Sequence, residues 1–104
     1  MSVLKATDSD FNNLIQTHPL VMVKYYADWC GSCRLMAPKY NQLADEIKDV
    51  TFLDVNAEEN PAARKLADVS NLPFFATFRD GKLQEADFTA KIETVREMTE
   101  RLRV

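Results

Sequence analysis

Cys30 and Cys33 are the only two cysteines in the chain, separated by Gly31 and Ser32 and preceded by Trp29. Two thiols at this spacing can close into a disulfide and reopen, which is electron-pair chemistry, and they also make up half of many zinc sites. Their setting favours the first use. An apolar run from Leu20 to Ala27 stands before them, and Met36, Tyr40, Leu43, Ala44 and Ile47 recur at helical spacing after them, so the pair falls at a strand-to-helix junction. Backbone N–H groups at a helix start have no partner inside the helix. They stabilise a thiolate and can lower its pKa from about 8.5 to between roughly 3.5 and 7.5.

The competing uses of two cysteines are weaker. A bridge that closes a loop of about four residues contributes only about 2 kcal/mol by loop entropy, less than the ~3 kcal/mol of a 15-residue loop. Structural zinc wants four ligands, and within one chain only His18 remains to add; beside Pro19 in a turn, it reads as a solvated loop residue. A metal or iron–sulfur site shared between two chains, each giving two cysteines, stays open at this point.

Bulk properties set the frame. A chain of 104 residues with 46% hydrophobic content suits one domain, 1–104, with a single packed core. Thirteen basic against 16 acidic residues give a net charge of −3 without a block of like charges, so neither nucleic acid nor a membrane surface is expected as a partner. Met1-Ser2-Val3-Leu4-Lys5 carries no apolar signal region, and no run approaches the roughly 20 apolar residues of a membrane span. The expectation is a cytoplasmic monomer.

The elements that must hold the cysteines follow in order. A strand is predicted over Ser2 to Ala6, then a helix capped by Thr7 or Asp8 with Phe11, Leu14 and Ile15 on one face. Leu20 to Ala27 reads as a strand buried on both faces, interrupted by Lys24. Pro38 lies inside the next helical pattern and is expected to kink it after its first turn. Thr51 to Asn56 is a strand, and Asn60-Pro61 supplies a cap and first-turn proline for a short helix through Leu66 and Ala67. A loop from Asp68 to Leu72 leads through Pro73 to a strand, Phe74 to Arg79, which Asp80-Gly81 turns into an antiparallel partner, Lys82 to Phe88. Ile92, Val95, Met98 and Leu102 form the apolar face of a last helix. This order predicts an α/β protein with a mixed sheet and helices on both faces.

Ala27-Asp28-Trp29-Cys30-Gly31-Ser32-Cys33-Arg34, with Pro38 and the later Leu72-Pro73, resembles the thioredoxin family along the whole chain. Thioredoxin is itself one of the cases behind the thiol range quoted above. The resemblance implies the thioredoxin fold, a central mixed sheet of about five strands flanked by about four helices. It implies a protein-disulfide reductase with no bound organic cofactor and no metal, serving electron transport and cell redox homeostasis. Its partners would be disulfide-containing protein substrates and a thioredoxin reductase that recharges it. Cys30, nearer the helix start, is expected to attack the substrate, and Cys33, one turn inward, to resolve the mixed disulfide. By the same resemblance Pro73 is a cis proline beside the cysteines and the Leu72 backbone meets an extended substrate segment. Trp29, Gly31 and Ser32 would line that contact, with Tyr26 and Phe88 to Ala90 extending the apolar surface.

Three departures from the family pattern stand out. Ser32 replaces the common proline and brings a hydroxyl and a backbone N–H beside the sulfurs; a bond of about 1 kcal/mol favouring the reduced form would raise the potential by roughly 20 mV. Lys24 stands where the family commonly has a buried aspartate, and Asp54 where it commonly has a lysine. An unpaired buried charge costs several kcal/mol, so the two are expected to pair beneath the active site, with Asp54 as proton acceptor for Cys33 and Lys24 favouring its thiolate. The alternative has both pointing to solvent at strand edges. Third, with Gly31 and Gly81 the only glycines, Thr89 replaces a groove glycine and bulky Phe74 follows Pro73, which reshapes the groove. Two other functions stay open: an oxidase or isomerase, disfavoured by the absence of a histidine between the cysteines, and a redox-gated binding module or chaperone-like subunit with little turnover.

Overall fold

A strand that must be apolar on both sides belongs in the middle of a sheet, and the run before the cysteines takes that place. The structure, a computed structural model, describes residues 2–104; Met1, the first residue of the N-terminal stretch read above, lies outside the described residues. The elements in chain order are β1 (Val3–Lys5), α1 (Phe11–Thr17), β2 (Leu20–Tyr26), α2 (Gly31–Glu46), β3 (Thr51–Asn56), α3 (Pro61–Leu66), β4 (Phe74–Arg79), β5 (Lys82–Phe88) and α4 (Ile92–Arg103). The five strands form one sheet in the order β1-β3-β2-β4-β5. β3 runs parallel to both β1 and β2, whereas β4 is antiparallel to β2 and to β5.

Alternation along β2 divides the core between two faces. Val21, Val23 and Tyr25 pack with Phe11 and Ile15 of α1 and Ala63 of α3. Met22 packs on the other face with Met36 and Tyr40 of α2 and Met98 and Leu102 of α4. Tyr40 ties α2 to the sheet, its hydroxyl lying 2.9 Å from the Leu53 carbonyl and 3.2 Å from that of Met22. Lys24, two residues on from Met22, therefore faces α2, the helix that begins at the cysteines.

Several boundaries differ from the sequence expectation. β1 is shorter than Ser2 to Ala6, although the Ala6 N–H still reaches the Asp54 carbonyl at 2.9 Å. β2 ends at Tyr26 and α3 at Leu66. Pro38 is the eighth residue of α2, which runs without a break from Gly31 to Glu46. Asp80 and Gly81 have φ of 52° and 81°, as a tight antiparallel turn requires.

The clearest correction concerns capping. Asp8 does not cap α1. Its carboxylate instead accepts the N–H groups of Ala62 (3.1 Å) and Ala63 (2.8 Å) at the start of α3. Asn60, at the N-cap position of α3, makes no capping bond of its own; its side-chain oxygen accepts the Asp8 N–H at 2.8 Å. The two segments thus satisfy each other's backbone. We expect Asp8→Ala to lower stability by about 1 kcal/mol, the usual loss for an N-cap, and Asp8→Asn by less, measured as a shift in thermal midpoint.

Candidate active site

The C-terminal end of β2 delivers Ala27, Asp28 and Trp29 to the start of α2, where Cys30 is the N-cap residue with extended backbone (φ −84°, ψ 106°). Its sulfur accepts the Cys33 N–H at 3.2 Å. No acidic residue stands in the first turn of α2 to oppose a negative charge there. Cys30 and Cys33 are at disulfide distance, S–S 2.35 Å, with Cα atoms 5.2 Å apart. Exposure barely separates them, 5% against 3%. What separates them is their surroundings: Cys30 holds the helix start, and Cys33 lines a cleft behind it.

Of the other residues singled out in the sequence, Tyr26 and Leu72 pack against this pair. The Leu72–Pro73 bond is cis, Pro73 is buried, and Leu72 packs with Tyr26 against the cluster of Ala27, Cys30 and Cys33. The Thr89 N–H donates to the Pro73 carbonyl at 3.3 Å, and Phe88, 53% exposed, pairs across the strands with Phe74. Trp29 is 66% exposed, its indole N–H bonded to Glu58 Oε2 at 2.7 Å. Gly31 and Ser32 are both exposed at the helix start. Among the described residues no hydrogen bond joins the Ser32 hydroxyl to either sulfur; the N–H that reaches Cys30 belongs to Cys33.

Lys24 and Asp54 do not point to solvent. They are direct partners in the β2–β3 register, Nζ lies 3.4 Å from Oδ1, and their side chains are 4% and 18% exposed. The ammonium also sits 5.0 Å from the Tyr40 ring centre and 5.7 Å from that of Tyr26, where aromatic faces favour a cation. The ion pair does not satisfy the carboxylate: Oδ1 is buried and has no hydrogen-bond partner. Burial raises the Asp54 carboxyl above its ordinary value of 3.8, with Lys24 and then Lys5 pulling the other way. Burial and the nearby Asp54 likewise raise Tyr40 well above the usual phenol range.

Asp54, Lys24 and Cys33 line one cleft of about 320 Å³, together with Lys5, Tyr26, Asp28 and Arg34. A space of this size admits water between a sulfur and a carboxylate. The sequence reading missed Lys5 and Tyr40. Tyr40 carried the signal of a core helix residue only, and Lys5 reaches Asp54 through a strand order that the sequence does not spell out. Among the described residues no three His, Cys, Asp or Glu side chains cluster as metal ligands would, and no helix is long and apolar enough to cross a membrane.

Two cysteines at disulfide distance at the start of a helix, on a sheet of this order, give the molecule the thioredoxin fold with a Cys-x-x-Cys pair. The chain belongs to the thioredoxin family, whose model matches residues 2–102. It is 34% identical over 83 residues to the mitochondrial Thioredoxin-3 of Saccharomyces cerevisiae, covering 79% of this chain and 65% of that one. It is 36% identical over 85 residues to a thioredoxin of Staphylococcus epidermidis, covering 79% of each. The crystal structure of spinach chloroplast thioredoxin f (long form) superposes with a TM-score of 0.93 at 26% identity, covering 99% of this chain and 88% of that one. The chain spans about two thirds or less of the length of several curated relatives, 65% in the yeast protein and 48% in others. Relatives named mitochondrial and chloroplastic are both among them, so membership implies no single compartment.

Proposed function

We propose that residues 1–104 act as one protein-disulfide reductase domain, and that Cys30 attacks while Cys33 resolves. The observation that carries this reading is the disulfide at the start of α2, with the Cys33 N–H directed at the Cys30 sulfur and Cys33 alone facing the cleft. In the reduced protein the Cys30 thiolate attacks one sulfur of a substrate disulfide, forms a Cys30–substrate bond and expels the other substrate sulfur as a thiolate. Cys33 then gives up its proton and attacks the Cys30 sulfur. The Cys30–Cys33 bond forms, the Cys30–substrate bond breaks, and the second substrate thiolate leaves. Two electrons pass to the substrate, whose two sulfurs each take up a proton. A reductase supplying two electrons and two protons resets the pair, and the redox balance of its compartment is the process served.

Asp54 is the acceptor of the Cys33 proton in this scheme, with transfer through water in the cleft, and Lys24 favours the Cys33 thiolate. Trp29, Gly31, Ser32, Leu72 and Pro73 form the surface on which a protein substrate lies. The sign of the pH effect follows from the raised Asp54 carboxyl. The folded protein holds this proton more tightly than the unfolded chain, so Asp54 favours folding below its unfolded value and loses that advantage as pH rises through the folded one. For catalysis the order is reversed: the base is blocked below its folded midpoint and free above it. We expect the rate of the Cys33 step to fall on acidification through that midpoint, and Asp54→Asn to be slower and to lack this limb. Stopped-flow resolution of a preformed mixed disulfide measures it.

Turnover itself is checked by insulin disulfide reduction with a dithiol donor. Catalytic precipitation of insulin chains is the expected result. Binding without acceleration would instead favour a redox-gated binding module.

A further inference from the structure

Lys5 lines the cleft beside Asp54 and Lys24. It stands on β1, the edge strand, and its register partner on β3 is Asp54. Asp54 in turn is the partner of Lys24 on β2. Register partners in a parallel sheet project to the same side, so Lys5, Asp54 and Lys24 form one row across three strands. All three line the cleft that Cys33 closes. The two lysines differ in kind. Lys24 is buried, paired at 3.4 Å and packed against two tyrosine rings, whereas Lys5 is exposed with its charge in water.

We propose that Lys5 is an outlying positioning residue of the active site, whose charge acts across the sheet on the Asp54 carboxylate and so governs the pH at which that group accepts the Cys33 proton. The inference rests on the reading of Asp54 as proton acceptor. It assigns a second, solvent-side control to that site. The other charged or titratable groups around the carboxylate are Lys24 and Tyr26 on β2, Tyr40 and Arg34 on α2, and Asp28 at the β2–α2 junction. The tyrosines are neutral at working pH, since an ordinary phenol titrates near 10 and burial raises both further. Arg34 is turned to the Asp28 carbonyl, its Nη1 2.6 Å away. Lys24 is held by burial and is screened little by salt. Lys5, exposed, is the member of the row whose influence salt can remove, because the Debye length falls from about 10 Å at 0.1 M to about 3 Å at 1 M.

The oxidised protein offers a clean measurement, since its cysteines are tied in a disulfide and do not titrate. The Asp54 side-chain carbon is followed by 13C NMR against pH in the full chain, Lys5→Met and Lys5→Glu. We expect the midpoint to rise by about half a pH unit in Lys5→Met and about one unit in Lys5→Glu at low salt, with most of the difference gone at 1 M salt. The low-pH limb of the Cys33 step should move by the same amounts, and adding Lys5→Glu to Asp54→Asn should change nothing further. An Asp54 midpoint that stays in place in Lys5→Glu overturns the inference, and so does a shift that survives 1 M salt. If instead Asp54→Asn keeps the full pH profile of the Cys33 step, Asp54 is not the acceptor; that result overturns the underlying reading, and with it the role of Lys5.

Discussion

Replacing Cys33 by serine is expected to convert the protein from a catalyst into a trap. Cys30 keeps the N-cap position of α2 and the N–H of residue 33, so it still attacks a substrate disulfide. The hydroxyl that replaces Cys33 cannot displace the substrate, and one equivalent remains bound through a bond that dithiothreitol reverses. Intact-mass measurement should show one substrate per chain, with multiple turnover lost. Cys30→Ser is expected to be different in kind. Its remaining thiol lies behind the helix start, facing the cleft, and should form no such adduct in the time that the Cys33→Ser variant saturates. Adducts forming equally fast on both variants would contradict the division of labour between the sulfurs.

The second large effect is on stability, at the buried pair. Asp54→Asn leaves the Lys24 ammonium, 4% exposed, without a counter-charge. Breaking a buried ion pair from one side can cost about 3–5 kcal/mol, but burial outweighs Lys24 at Asp54 and holds its carboxyl above the ordinary value, so the folded protein already disfavours this charge and Asp54→Asn is expected within about 1 kcal/mol of the parent. Lys24→Met should cost more, about 2–3 kcal/mol, since it removes the cation that offsets the burial of the Asp54 carboxylate and forces that group to take a proton. The double variant Lys24→Met, Asp54→Leu removes both charges and both desolvation penalties, and is expected within about 1 kcal/mol of the parent. Urea midpoints at constant slope measure all three. A double variant as unstable as the sum of the singles would mean that the two side chains do not act as a pair. The same double variant separates fold from chemistry: near-parental stability with a slowed Cys33 step that has lost its acid limb places the value of the pair in proton handling.

How much of this is written in the sequence depends on the range over which each signal acts. The strand–disulfide–helix junction was legible because every signal for it lies within a few residues of Cys30. The hairpin of β4 and β5 was legible for the same reason, since Asp80-Gly81 specifies its own turn. Lys24 and Asp54 lie 30 positions apart, yet the expectation that they pair came from a general cost, that of an unpaired charge in an apolar strand, together with the family pattern. Asp8 escaped that logic. A short polar residue before a helical pattern reads as the cap of the next helix, and nothing local reveals that Asp8 instead caps α3, which starts at Pro61. Lys5 escaped it too, because an exposed lysine on a strand has no need of a partner and only the β1-β3-β2 order brings it beside Asp54. At Ser32 the hydroxyl bonds to neither sulfur of the oxidised pair, where the backbone N–H of Cys33 provides the contact, whereas the bond expected from Ser32 concerns the reduced form.

These differences leave the central claim on the two sulfurs as a reducing couple, and equilibration with glutathione tests it most directly. The protein is held in a glutathione buffer poised at about −240 mV, quenched with acid, alkylated, and the Cys30–Cys33 disulfide counted by mass. A reductase must hold its electrons at a more negative potential than the disulfides it opens, so the pair is expected to remain predominantly oxidised in that buffer. A pair found predominantly as dithiol would mark it as an oxidant of other thiols and contradict the account.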